Sequence, residues 1–330
     1  MLLCRTATMA PDMAAQPNSL ISTLGGLVSR ARQASKKPGL RALLLTAGFV
    51  LFVVLAVGSF RSLPAIESPT WWAAAVLVFV TTPLTLALNT AEFRLIAATA
   101  GSPFDWGKAL STTVVASLAN LLPVPGAAAV RTTALMRSGA SLRVSGEANV
   151  LAAFVWLGAT AALAGLGLVA SDTIAAWVSI LVLTVGVVVS ASAMWRIQAL
   201  ASSQVAARLL VIEVATVLTS AVRVWLGYEV IRQSIGFGES IAISSGVVLA
   251  ALVGFVPGGL GIREVLAGGL ASLIGQASAA AIAATVVDRL AAQIGMVLVL
   301  LALLLIPSGP GRAALQEFRE RSRNETGEES

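Results

Sequence analysis

Val256-Pro257-Gly258-Gly259-Leu260-Gly261-Ile262-Arg263-Glu264 interrupts one apolar stretch of this chain, and Pro125-Gly126-Ala127-Ala128-Ala129-Val130-Arg131 interrupts another. The two share Pro, Gly, a β-branched residue and Arg at the same spacing, 132 residues apart. Proline removes a backbone donor and glycine admits conformations closed to other residues. Each break therefore predicts a helix that stops and restarts. The surroundings set the context: of 330 residues, 57% are hydrophobic and 12% charged, about half the charge that a soluble domain carries.

Working outward, apolar runs cover about 43–60, 71–90, 108–122, 147–170, 173–194, 206–228, 240–256 and 278–306. A spanning helix needs about 20 apolar residues, so the chain reads as an all-helical, multi-pass membrane protein. Shorter apolar pieces at about 127–137 and 259–275 follow the third and seventh runs. Trp71, Trp72, Trp106 and Trp195 fall at run ends, where an aromatic belt would put them. Residues 1–40 are polar and basic, with no apolar core of a signal peptide. They are expected to form a disordered cytoplasmic tail, 41–306 the membrane domain, and 307–330 a second polar cytoplasmic tail.

Basic residues decide how the short pieces lie, because Lys and Arg collect in cytoplasmic loops. Fifteen occur from Arg30 to Arg263 when Arg223, inside an apolar run, is left out. With eight full crossings and the N-terminus inside, eight fall inside and seven outside, including Arg131, Arg137, Arg143, Arg196 and Arg208. If 108–137 enters from the cytoplasm and returns, and 240–275 does so from the opposite side, eleven are cytoplasmic. Only Arg61 and Arg232 are then external. The re-entrant arrangement is the expected one.

The remaining runs keep nearly the offset of the breaks: 43 to 173, 71 to 206, and 147 to 278. Each half (about 41–170 and 173–306) thus reads as two spans, a re-entrant hairpin and one span. The first half starts inside and ends outside, and the second reverses this. Inverted repeats of this kind are the plan of many transporters.

Composition excludes a good deal of chemistry. With one cysteine (Cys4) and no histidine, an intrachain disulfide, a cysteine metal cluster and any Ser-His or Cys-His nucleophile are out. No phosphate-binding loop of the Gly-x-x-x-x-Gly-Lys-Ser/Thr type occurs. No cofactor or metal is implied, and no catalytic role is expected. The net charge of +6 fits cytoplasmic loops better than nucleic-acid binding.

A half-helix that begins after Pro125-Gly126 or Pro257-Gly258 directs free N–H groups and its positive dipole end into the protein, a natural anion site. Arg131 and Arg263, six residues after each Pro, would add guanidinium forks suited to phosphate. Alternatively, each Arg satisfies carbonyls at a broken helix end. Other charges inside apolar runs are Glu213, Arg223, Glu264, Asp288 and Arg289, which should pair or mark a pathway. Glu213 and Arg223 lie ten positions apart, about 15 Å along a helix, so their partners must be elsewhere. Arg223 with Asp288, or Glu213 with Arg289, are the candidates. Glu92 and Arg94 read as interface anchors, and Asn120 as a cap or a substrate contact. The small residues Gly165, Gly167 and Ser278 to Ala284 read as helix-packing surfaces.

At these residues the chain resembles the membrane domain of the lysylphosphatidylglycerol synthase/flippase family. Its second motif, a Pro-Gly-Gly-x-Gly-x-Arg-Glu core, is met by Pro257, Gly258, Gly259, Gly261, Arg263 and Glu264. Its first is met by Asn120, Leu122-Pro123, Pro125-Gly126 and Arg131, but Ala129 and Val130 stand where members carry a small residue and an acid. The resemblance covers about 40–306. It implies a stand-alone flippase-like protein of the plasma or inner membrane, both termini cytoplasmic, without the family's aminoacyl-transferase domain. The expected cargo is an anionic phospholipid, aminoacylated or isoprenoid-linked forms included. Arg131 and Arg263 would hold its phosphate, with Glu264 and Asp288 setting their orientation or responding to proton flux, and Arg289 a further candidate contact. Rival readings are a secondary transporter of a small anionic solute and an intramembrane lipid-linked transferase. Expected partners are the bilayer and its phospholipids, with a second copy or a lipid-modifying enzyme also compatible, and no nucleic acid.

Overall fold

The structure, a computed structural model, describes residues 38–63, 68–119, 126–169, 174–253 and 260–305. Asn120, Pro125, Pro257, Gly258 and Gly259, like both tails, lie outside them. Met1–Leu43 and Leu44–Ser330 are separate compact units, and the helical bundle belongs to the second.

Every described element is helical. In chain order they are α1 (Pro38–Ser62), α2 (Trp71–Thr99), α3 (Trp106–Ala119), α4 (Gly126–Arg137) and α5 (Leu142–Val169), then α6 (Ala176–Leu200), α7 (Ser203–Val230), α8 (Phe237–Val253), α9 (Ile262–Leu273) and α10 (Ser278–Leu305). Five helices (α2, α5, α6, α7 and α10) are long and apolar enough to cross a bilayer. The protein is a multi-pass, all-helical membrane protein. Two long helices, two short ones and a long one occur twice along the chain. The third and seventh apolar runs are described as helices over 14 and 17 residues.

Both short pairs close on themselves. Ser102, before α3, donates its hydroxyl to the carbonyl of Ser138, after α4, at 3.4 Å. In the other half Gln276, after α9, donates from Nε2 to Glu239 Oε1 near the start of α8, at 3.0 Å. Each pair thus leaves and returns to one end of the bundle. The consequence is visible in the charges. Arg94, Lys108, Arg137, Arg143, Arg196 and Arg208 gather at one end, where Arg196 meets Glu147 at 2.7 Å. Arg61 and Arg232 lie at the other, where Arg232 bonds Ser68.

The outside is oily and the inside is small. Phe79 is 67% exposed, Trp177 69% and Leu301 51%, as suits a surface solvated by acyl chains, whereas many buried positions between helices are glycine, alanine, serine or threonine, packed with larger residues such as Phe93, Leu135 and Tyr228. A Cβ on Gly186 would lie 2.3 Å from the Ala162 nitrogen, and one on Gly158 2.6 Å from the Gly186 carbonyl, so only glycine lets α5 and α6 approach. Gly165 packs on Leu183 and Gly167 on Gly238. Ala280, Ala281, Ala283 and Ala284 of α10 are all buried.

The sequence of α2 breaks its own regularity. Residues 77–81 form a π-turn just before Pro83, which has no N–H to continue the ladder. Thr81 and Thr82 donate their hydroxyls to the Leu77 carbonyl at 2.8 and 3.0 Å, covering the acceptor that the irregular turn leaves short of partners.

Helices α2 and α7 pack antiparallel. Thr70 N–H bonds the Val230 carbonyl at 3.2 Å, Thr81 meets Arg223 at 3.0 Å, and Glu92 lies within electrostatic reach of Glu213. As one helix ascends, the other descends in step.

Candidate functional site

Two buried charge clusters sit where α2 and α7 cross their neighbours. In the first, Arg131 on α4 donates from both terminal nitrogens to the two carboxylate oxygens of Glu92 on α2, each at 3.1 Å. The guanidinium also lies 5.6 Å from the centre of the Phe93 ring. Both side chains are mostly buried, at 16% and 17% exposure. Glu213 of α7, 2% exposed, lies within electrostatic reach of this pair, and its Oε1 has no hydrogen-bond partner among the described residues.

In the second cluster, Asp288 of α10 sits between two guanidiniums. Arg223 Nη2 lies 2.7 Å from its Oδ1 and directs its hydrogen bond to the Asp288 carbonyl at 3.2 Å. Arg263 of α9 donates to Oδ2. Arg223 Nη1 donates to the Thr81 and Thr82 hydroxyls at 3.0 and 3.3 Å, so the π-turn of α2 finishes the solvation of that cation. Next to it, Arg289 donates from Nε to Glu264 at 2.8 Å and lies 5.7 Å from the Phe52 ring centre.

Glu264 has a second task. Gly261 has φ +79° and precedes α9, and its N–H donates to Glu264 Oε2 at 2.9 Å. One of the free N–H groups expected to face an anion is therefore taken by the chain's own carboxylate, half of a capping box. A side chain at Gly261 would also meet Leu51 at 2.7 Å.

Of the expected site residues, Arg263, Glu264, Asp288 and Arg289 come together, with Gly261 at their edge. Arg131 sits in the other cluster, and Gly126 is the first residue of α4. Arg223 does pair with Asp288, whereas Arg289 goes to Glu264 rather than Glu213. Glu92, expected as an interface anchor, is mostly buried and pairs with Arg131. Thr81, Thr82 and Glu92 escaped sequence reasoning. The signal was present in the repeat, since Glu92 and Arg223 lie 131 residues apart and Thr81 and Glu213 132.

The clusters mirror each other in depth. Glu92 is seven residues from the end of α2, and Arg223 is seven residues from the end of α7, at the opposite end of the bundle. Arg131 and Arg263 share one further property: the Nε–H of each is buried and has no acceptor among the described residues.

Compared with known proteins, the chain matches no protein-family model, and no curated protein matches it either.

Proposed function

We propose that this protein moves an anionic lipid headgroup between the two leaflets, its halves related by an in-plane two-fold axis. Antiparallel packing of α2 on α7 supports the inverted relation: counterparts that run oppositely belong to halves of opposite orientation. The gathering of basic side chains at one end supports placing that end, and with it both termini, in the cytoplasm.

The observation that carries the reading is the pair of buried, unpartnered Nε–H donors on Arg131 and Arg263. A buried donor without an acceptor costs about 1–3 kcal/mol, and two at counterpart positions are hard to explain by packing. A phosphodiester oxygen would satisfy each. The clusters are separated by the ten residues from Glu213 to Arg223, about 15 Å along α7. They serve as successive stations, one nearer each leaflet, in place of a single midplane site. The exposed apolar surface leaves the acyl chains in the bilayer while the headgroup travels.

The reading is tested with the full chain in proteoliposomes, following a fluorescent anionic phospholipid and, in parallel, uptake of radiolabelled inorganic phosphate. Lipid movement without phosphate uptake is expected. Arg263→Ala should lower the lipid rate at least about tenfold, a loss of ~1.4 kcal/mol or more in barrier lowering, with an unchanged elution profile. Wild-type lipid rates in that variant, or phosphate uptake alone, contradict the reading.

A further inference from the structure

The two clusters differ in their charged groups. The second pairs Arg223 and Arg263 with Asp288, and Arg289 with Glu264. The first holds one guanidinium, Arg131, against two carboxylates, Glu92 and, within electrostatic reach, Glu213. The first requires one positive charge.

From this geometry we infer that Glu213 is the proton carrier of the cycle, so that one proton accompanies each headgroup. The inference rests on the lipid reading for its cargo but on the first cluster alone for its site. Glu92 occupies both terminal nitrogens of Arg131, and Glu213, within electrostatic reach of them, has its Oε1 buried and without a partner among the described residues. An uncompensated carboxylate in an apolar interior is costly, and in membrane helices such groups commonly relay protons. A proton on Glu213 makes the set neutral. When it leaves for water at the basic end of the bundle, the carboxylate that remains competes with Glu92 for Arg131 and loosens the grip of α2 on α4.

Charged groups on the other packed elements are engaged elsewhere. Arg94 of α2 bonds the Phe104 carbonyl and stacks on Trp106. Glu147 of α5 pairs with Arg196 of α6, and Arg143 of α5 and Arg208 of α7 itself are exposed. Glu239 of α8 holds Gly236 and Gln276. Asp288 and Arg289 of α10 belong to the second cluster. A metal cation fits poorly, because the guanidinium repels it and no group of three or more acidic, His or Cys ligands exists among the described residues.

Infrared spectroscopy of the purified chain in nanodiscs tests this directly. At neutral pH the wild type should show the carbonyl band of a protonated, buried carboxyl. The band should vanish in Glu213→Gln and also in Glu92→Gln, where Arg131 becomes available to an ionised Glu213. It should persist in Glu264→Gln. Survival in either of the first two variants overturns the assignment, as does loss of the wild-type band on adding sodium chloride at fixed pH. In wild-type proteoliposomes with the membrane potential clamped, a pH difference of one unit should drive about a tenfold leaflet asymmetry of the lipid probe, and none in Glu213→Gln. A wild-type distribution that ignores the gradient overturns the coupling. Absence of any lipid movement with the band behaving as stated overturns the lipid reading and leaves the proton site.

Discussion

Arg263-Glu264 and Asp288-Arg289 are adjacent pairs of opposite sign, and neither pairs within itself. Neighbours along a helix point in different directions, so each reaches the other helix: Arg263 to Asp288 and Glu264 to Arg289. The sequence therefore revealed which residues are charged and buried but not which partner each takes. Asp288 is the hub, because it is 1% exposed and serves two guanidiniums. Breaking a buried pair by removing one partner typically costs about 3–5 kcal/mol. Asp288→Ala should lower thermal stability in detergent by an amount of that order, measured by tryptophan fluorescence on heating. Glu264 separates two roles. Glu264→Gln keeps an acceptor for the Gly261 N–H and should lose less stability than Glu264→Ala; equal losses would show that the cap contributes nothing.

At the scale of elements, the short helices α3, α4, α8 and α9 were legible because proline and glycine act locally, and their pairing into hairpins was expected from where the basic residues fall. The bonds that close them were not legible, since Ser102 meets Ser138 and Glu239 meets Gln276 across 36 and 37 residues. The π-turn of α2 was also hidden: Pro83 signals a disturbed ladder, but only the fold brings Arg223 to the Thr81 and Thr82 hydroxyls. Close helix pairs yield a sharp expectation. Gly186→Ala places a methyl 2.3 Å from the backbone of α5, where nothing flexible can give way. Overpacking of this kind costs about 1–3 kcal/mol, visible as a lower unfolding temperature, while Gly269→Ala, with open space around it, should be neutral. The antiparallel register is checked by cross-linking. In a Cys4→Ser background, Thr70→Cys with Val230→Cys should join rapidly on mild oxidation, and Thr70→Cys with Ser203→Cys should not.

At the scale of the molecule, the recurring offset was legible in the sequence, and the order of long and short helices in α1–α5 and α6–α10 is compatible with it. The chemistry is less symmetric than the architecture. At the 132-residue offset Trp156 and Leu157 correspond to Asp288 and Arg289, so the two charge clusters are not copies of each other. On the proposed lipid path, that difference in charge would give a direction that two identical stations would lack. Everything depends on the halves facing opposite ways. The most direct measurement is thiol labelling of single cysteines at Ser102, Gly139, Gln233 and Gln276 in intact cells, in the Cys4→Ser background, with an impermeant reagent. Gln233→Cys and Gln276→Cys should label from outside, while Ser102→Cys and Gly139→Cys should label only after the membrane is opened. Labelling of Ser102→Cys and Gly139→Cys from opposite faces would contradict the inverted plan, because α3 and α4 would then cross the bilayer and the halves could not be inverted.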